Sequence, residues 1–334
     1  MSTRSATAPL DVARAEGRPP TLTAPAFDVA PGWLAEHRDA LRATVARHGS
    51  VLIRGLGLSD RAKVVDAFAQ IAPDRVIERE AFAARTSYGQ GVYSSSTWPA
   101  TQPMCMHHEL SYLLSVPSLM LFACLVPPTS GGVTGIADAA AVLEALPADL
   151  VNRFEDQGWM LVRNYTEEIG AGVADSLGTD DPAAVERYCR DQGIEWEWLE
   201  DGGLRTRQRR RAVAVHPVTG RRCWFNQVAF LSEWTMDPDV REFLVDMYGA
   251  EGLPFTTRFG NGDPIGEDVV ELLNDVYDSV TVREPWRAGD LMLVDNIGTA
   301  HSREPYDGPR EILVAMAGPV DVGTLAATEG GTAP

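Results

Sequence analysis

The stretch PMCMHHELSY, residues 103–112, places two of the chain's six histidines side by side with a glutamate behind them. Read as a strand, it turns His107 and Glu109 to one face and His108 to the other, because successive side chains alternate. A histidine and a carboxylate two residues apart on a strand converge on one point in front of it. They form two-thirds of the two-histidine, one-carboxylate triad that binds Fe(II) and leaves positions open for oxygen chemistry. The tripeptide occurs by chance in many chains, so a third ligand is needed. His37 and His48 fall in helical sequence, and His216 stands in the turn HPVTG, where a structural role fits better. His301, after the strand-like run DLMLVDN (290–296), is the distal ligand this reading selects.

An arginine joins the pattern. In the run REILVAM (310–316), Arg310, Ile312, Val314 and Met316 share a strand face. A guanidinium in line with three apolar residues faces the interior and needs an anion there, either a protein carboxylate or a ligand carboxylate held bidentately.

These residues need elements to hold them. The run 32–49 has helical spacing, SVLIRGL (50–56) reads as a strand, and SDRAKVVDAFAQIA (59–72) as a helix with Ser59 as its cap. From 85 to 136 the text is short extended runs broken by Gly, Pro and Ser. Residues 138–157 and 181–193 are helical again, with Asp138 a candidate cap, and 204–230 is strand-like. Helices follow at 237–248 and 266–278, and DLMLVDN and REILVAM are strands joined by a turn-rich piece. Strands, helical insert, strands: the order predicts a mainly β fold with helices packed outside it, not alternating βαβ units. Residues 1–24 and 321–334 read as a flexible leader and tail around one domain at 25–320, with a helical insert at about 138–203.

Composition sets outer bounds. The net charge of −18 argues against a nucleic-acid partner, and it means that an anionic ligand needs a local positive site. No apolar run is long enough to span a bilayer. The N-terminus has no apolar stretch of the secretory kind, and four cysteines without CxxC spacing suit a reduced, cytoplasmic protein. A homo-oligomer is compatible with all of this. RTRQRRR (205–211) holds five arginines in seven residues, either a solvated face or a dock for an acidic carrier protein or anionic substrate.

Taken together, HHE (107–109), PPTSGGVTGIAD (127–138), HPVTG with WFNQ (216–227) and GDLMLVDNIGTAHSREPYDGPR (289–310) resemble, in order, the taurine dioxygenase-like (TauD/TfdA) superfamily of Fe(II)/2-oxoglutarate oxygenases. The resemblance spans roughly 25–320 and is nearest the syringomycin-biosynthesis hydroxylase-like group. It implies a double-stranded β-helix, or jelly roll, with His107, Glu109 and His301 on iron. It also implies Thr134 and Arg310 on the distal carboxylate of 2-oxoglutarate, and O2 as the third reactant. The implied activity is that of an oxygenase that hydroxylates an amino acid or amino-acid-derived intermediate, free or carrier-tethered, in natural-product biosynthesis. Desaturation, epoxidation and cyclisation use the same site.

Where the family usually has HNE, GGET and HGR, this chain has His108, Val133 and Ser302 at the middle positions, and none of these changes removes a ligand. In VYSSSTWPA (92–100), Thr97 replaces a frequent acid, which points to a different substrate. Glu109 disfavours halogenation, since halogenases of this type lack the carboxylate. Arg85, Tyr93, Ser96, Thr97 and Asn226 are the candidate substrate contacts. The competing readings are a metal- and ligand-binding jelly roll without turnover, and a zinc hydrolase, which would leave Thr134 and Arg310 without a role. Succinate release from 2-oxoglutarate under O2 separates the first of these from an enzyme.

Overall fold

A computed structural model describes residues 8–77, 80, 82, 85–166, 168–200 and 202–326. Three strands at its centre, Ser115–Val126, Leu291–Asp295 and Glu311–Asp321, form antiparallel neighbours. Their apolar sequence is nearly continuous because both faces are covered. Met120, Phe122, Cys124, Met292, Val294, Ile312, Val314 and Met316 point inward to one core. Leu119, Leu121, Ala123, Leu291, Leu293, Leu313, Ala315 and Ala317 point outward to a second core beneath the helices Arg38–His48 and Arg61–Ile71. The period-two alternation therefore places Ile312, Val314 and Met316 on one interior face, as expected.

A smaller sheet closes over the inner core in the order Thr281–Val282, Ile136–Asp138, Thr299–Arg303, Met104–His107, all antiparallel. These two sheets make the jelly roll. Between DLMLVDN and REILVAM lies the strand Thr299–Arg303, where the sequence suggested only turns. Asp138 caps the helix Ala139–Ala145, as expected. The helix at 61–71 is capped by Asp60 rather than Ser59, since the Asp60 carboxylate accepts from the Lys63 N–H at 2.9 Å.

Three boundaries differ from expectation. The insert at 138–203 is not wholly helical: Trp159–Tyr165 and Glu195–Trp198 are strands, which join Leu204–Arg210 and Phe255–Phe259 in a four-stranded sheet. Residues 8–24 are not a loose leader. Thr21–Thr23 adds a parallel strand beside Ser50–Arg54, and backbone bonds tie Ala13 to Thr21. Hydrophobic periodicity could not show this, because so short a segment is held by backbone pairing to a distant strand. At the other end, Leu325 is buried with Val116, Phe225 and Ile297. Residues 1–7 and 327–334 of the expected leader and tail lie outside the described residues. No described helix is long and apolar enough to cross a membrane.

Candidate metal centre

His107 ends the strand Met104–His107, and its antiparallel register partner is His301. Directly opposed residues have their Cβ atoms about 5 Å apart, and the two rings have centroids 4.4 Å apart. Glu109 arrives differently. The strand stops at His107 and the chain turns, with Leu110 at φ +56°. The strand expected through residue 109 is therefore corrected: Glu109 does not reach the site by alternation. The Asn296 side chain places it instead, accepting from the Glu109 N–H at 2.8 Å and donating to the carbonyls of Glu109 at 3.0 Å and Pro117 at 2.8 Å.

One donor atom from each of His107, Glu109 and His301 lies within 4.8 Å of the others, and all three side chains are buried. His107 Nδ1 is 2.7 Å from the Cys105 carbonyl. Nδ1 therefore carries the proton, and Nε2 keeps its lone pair for a metal. His301 Nε2 stands 3.8 Å from Glu109 Oε2, beyond hydrogen-bond range. Two donors at ~2.1 Å from one ion, at right angles, are ~3 Å apart, so small side-chain adjustments complete the set. Burial holds the His107 imidazole below its ordinary pKa and that of His301 well below it. Both are neutral at pH 7, the form that ligates. The donor set fits Fe(II).

His108 turns away, with Nδ1 donating to the Asn296 carbonyl at 2.7 Å, and burial pushes its pKa down to about 4. His216 donates from Nε2 to Asp295 at 2.7 Å and accepts at Nδ1 from the Val218 and Thr219 N–H groups. It is a structural residue of its turn.

Two adjoining lobes share His107, Glu109 and Met104 in their lining, and His301 faces the first of them. One lobe runs to Thr134, Arg303, Arg310, Ile312 and Val314; the other is bounded by Phe82, Tyr112, Gln227 and Phe230. Trp286 Nε1 donates to the Thr134 hydroxyl at 3.3 Å. Arg310 stands just before its strand, and its Nε donates to the Gly132 carbonyl at 3.3 Å. No described carboxylate pairs with it. Burial, and then neighbouring Arg303, lower its pKa to about 10, which leaves it cationic at pH 7. Arg303 is buried. Its guanidinium donates to the carbonyls of Trp98 at 3.1 Å, Pro99 at 2.7 Å and Gln102 at 2.8 Å.

The expected substrate contacts divide. Arg85 and Ser96 line both lobes. Arg85 Nη2 lies 3.3 and 3.2 Å from the two Glu109 oxygens, and its Nε donates to Ser96 Oγ at 3.0 Å. The other three are corrected. Tyr93 is buried in the sheet opposite Val314 and outside the cavity lining. Thr97 is exposed and outside the lining as well. Asn226 is buried, donating to the Ala212 carbonyl and accepting from the Val228 N–H, and its neighbour Gln227 reaches the cavity instead. Adjacent polar residues of one segment point different ways, and only tertiary contacts decide which reaches a site.

The arginine run belongs largely to the strand Leu204–Arg210. Arg205 donates to Asn164 and the Glu251 carbonyl, Arg207 to Glu197, Arg209 to the Gln157 carbonyl and buried Arg210 to Tyr112 and Gln192. Most of its charge is used within the chain. Sequence reasoning missed Asn296, Trp286, Gln227 and Phe230. The only signal for Asn296 was its place in the polar pair Asp295 and Asn296 that follows the apolar run LMLV.

The profile of the taurine catabolism dioxygenase TauD, TfdA family matches residues 15–316. The dapdiamide synthesis protein DdaC of Enterobacter agglomerans is 30% identical over 276 residues, covering 83% of this chain and 84% of its own. Among solved structures, a taurine dioxygenase from Burkholderia xenovorans superposes with a TM-score of 0.51 at 18% identity, over 94% of this chain and 92% of that one. PvcB of Pseudomonas aeruginosa, an Fe, alpha-ketoglutarate dependent oxygenase from an isonitrile synthetic pathway, gives 0.51 at 15%, over 91% and 89%. At these identities the structures bear on the fold.

Proposed function

Because the chain belongs to the TauD, TfdA family and is an Fe(II)- and 2-oxoglutarate-dependent dioxygenase, we propose that His107, Glu109 and His301 hold its iron and that Arg310 and Thr134 hold the distal carboxylate of 2-oxoglutarate. The observation that carries this reading is a set of three buried donors within 4.8 Å in a cavity that also presents Arg310, which has no carboxylate partner among the described residues. Bound iron with 2-oxoglutarate supplies the means to activate O2 and oxidise a substrate C–H bond.

The chain's own residues do the rest. Cys105 fixes the His107 tautomer through its carbonyl. Asn296 fixes the backbone of Glu109. Arg310, held by the Gly132 carbonyl, offers its remaining N–H groups to a carboxylate, and Trp286 orients the Thr134 hydroxyl beside it. The apolar walls, Phe122, Ile312 and Val314 on one side and Phe230 and Phe82 on the other, exclude water from the reacting atoms.

The substrate takes the lobe bounded by Phe82, Tyr112, Gln227 and Phe230, with Arg85 and Ser96 at its base. We assign it as an amino acid or amino-acid-derived intermediate, free or carrier-tethered, that is hydroxylated in natural-product biosynthesis. The similarity to DdaC, a synthesis protein by name, supports that setting. The test is a mass-spectrometric screen. Amino acids and carrier-tethered aminoacyl groups are incubated with the iron-loaded protein, 2-oxoglutarate and O2. A mass gain of one oxygen, coupled to succinate release, is expected. Succinate release with loss of two hydrogens would replace hydroxylation by desaturation or ring formation.

A further inference from the structure

Away from the metal cavity, and sharing none of its lining residues, a cleft of about 400 Å³ lies between the N-terminal segment, the end of the helix Arg38–His48 and the loop 295–299. Its volume is in the range of small-molecule sites. Its charge is unusual for a chain of net −18: Arg14, Arg18, Arg47 and Arg221 all line it. Arg18 is paired with Glu284 at 3.2 Å and Arg221 with Asp138 at 2.9 and 3.0 Å. The other lining carboxylate, Asp295, is bonded to His216. Arg14 and Arg47 have no carboxylate partner among the described residues. Both line the cleft together with His48.

A further observation makes this more than a loose basic surface. The wall that carries Arg14 is fixed: Ala13 and Thr21 exchange backbone hydrogen bonds at 2.8 and 2.9 Å, and the Arg283 N–H donates to the Gly17 carbonyl at 2.9 Å.

We propose that this cleft binds a small phosphate monoester, with Arg14 and Arg47 on the phosphate and the uncharged part of the molecule against Ile136 and Val282. Two arginines without acid partners match the charge of about −1.5 to −2 that a phosphate ester carries at pH 7, and guanidinium forks suit its oxygens. A single carboxylate would leave one arginine unmatched.

The experiment is isothermal titration of the full chain at low ionic strength with glucose 6-phosphate, and separately with inorganic phosphate and succinate. The wild type should bind at least one of the two phosphate probes at a single site, more weakly as salt rises. Arg14→Gln/Arg47→Gln, at two exposed positions, should weaken that binding at least ~10-fold. Arg310→Ala should leave it unchanged, and succinate should bind this cleft more weakly than phosphate. Three outcomes each overturn the assignment: no binding of either phosphate probe, binding that survives the double substitution, or binding that Arg310→Ala removes. The last would place the anion in the metal cavity. The measurement needs neither iron nor turnover, so its failure leaves the proposed function standing.

Discussion

Asn296 and Glu109 are 187 residues apart in the chain, yet one carboxamide grips both backbone polar groups of the other residue, at 2.8 Å to the N–H and 3.0 Å to the carbonyl. The turn that carries the carboxylate is thereby tied to the loop that leads into the strand of His301. Groups that orient a metal ligand commonly matter 10- to 100-fold to metal affinity. Asn296→Ala should lower Fe(II) affinity by about that factor. Asn296→Asp should not restore it, because a carboxylate accepts from the Glu109 N–H but does not donate to the two carbonyls. Anaerobic metal titration measures both, and unchanged affinity in Asn296→Ala would show that the turn holds itself.

His301→Ala should abolish 2-oxoglutarate turnover. His216→Ala should retain turnover and lose stability, because it leaves Oδ2 of buried Asp295 without its partner while Oδ1 keeps the Ile297 and Gly298 N–H groups, at a cost of about 1–3 kcal/mol. Succinate release and thermal unfolding of the two variants separate the roles. The assignment fails if His216→Ala is inactive while His301→Ala turns over.

Arg310→Ala should weaken 2-oxoglutarate by roughly 10- to 150-fold, the worth of a hydrogen bond to a charged group, and iron binding should remain. Arg310→Lys should recover only part, since an ammonium lacks the bidentate fork. Arg303→Ala should act mainly on stability, because that guanidinium is bonded to three backbone carbonyls. The anaerobic charge-transfer absorption of iron with 2-oxoglutarate reports the midpoint for each variant. A large shift in Arg303→Ala with none in Arg310→Ala would reverse the two roles.

With excess chloride present, the oxygenated product should still dominate, because Glu109, as the proposed third ligand, would fill the coordination position a halide needs. Mass spectrometry of the turnover mixture reads the outcome directly. A chlorinated major product would remove Glu109 from the ligand set.

The buried thiols predict an alkaline limit. Desolvation raises Cys124 and Cys223 to about 12, whereas an unfolded thiol titrates near 8.5. The folded chain keeps protons that the unfolded chain releases. This contribution to stability is complete below about pH 8 and falls as pH rises from there toward 12. Denaturant unfolding at pH 7.5, 9 and 10 should show decreasing stability, and at pH 7.5 neither thiol should react with iodoacetamide until the protein unfolds. Rapid native labelling of either would contradict the burial.

Local pattern carried much of this protein. Two-residue alternation placed Ile312, Val314 and Met316 on one inner face with Arg310 near its start, and the strand, helix, strand order indicated a mainly β fold. The residue types at 107 and 109, with His301 following a strand-like run, already indicated the group that the fold brings together. Alternation failed at Glu109, where the strand ends, since hydrogen bonds to a loop far along the chain outweigh the local preference for extension. Tertiary structure alone selected Ser96 over Thr97 and Gln227 over Asn226, paired Arg85 with Glu109, buried Arg303 and folded residues 8–24 onto the sheet. Those outcomes depend on which distant backbone groups and charges lie within ~3 Å, and spacing along a chain holds no record of that.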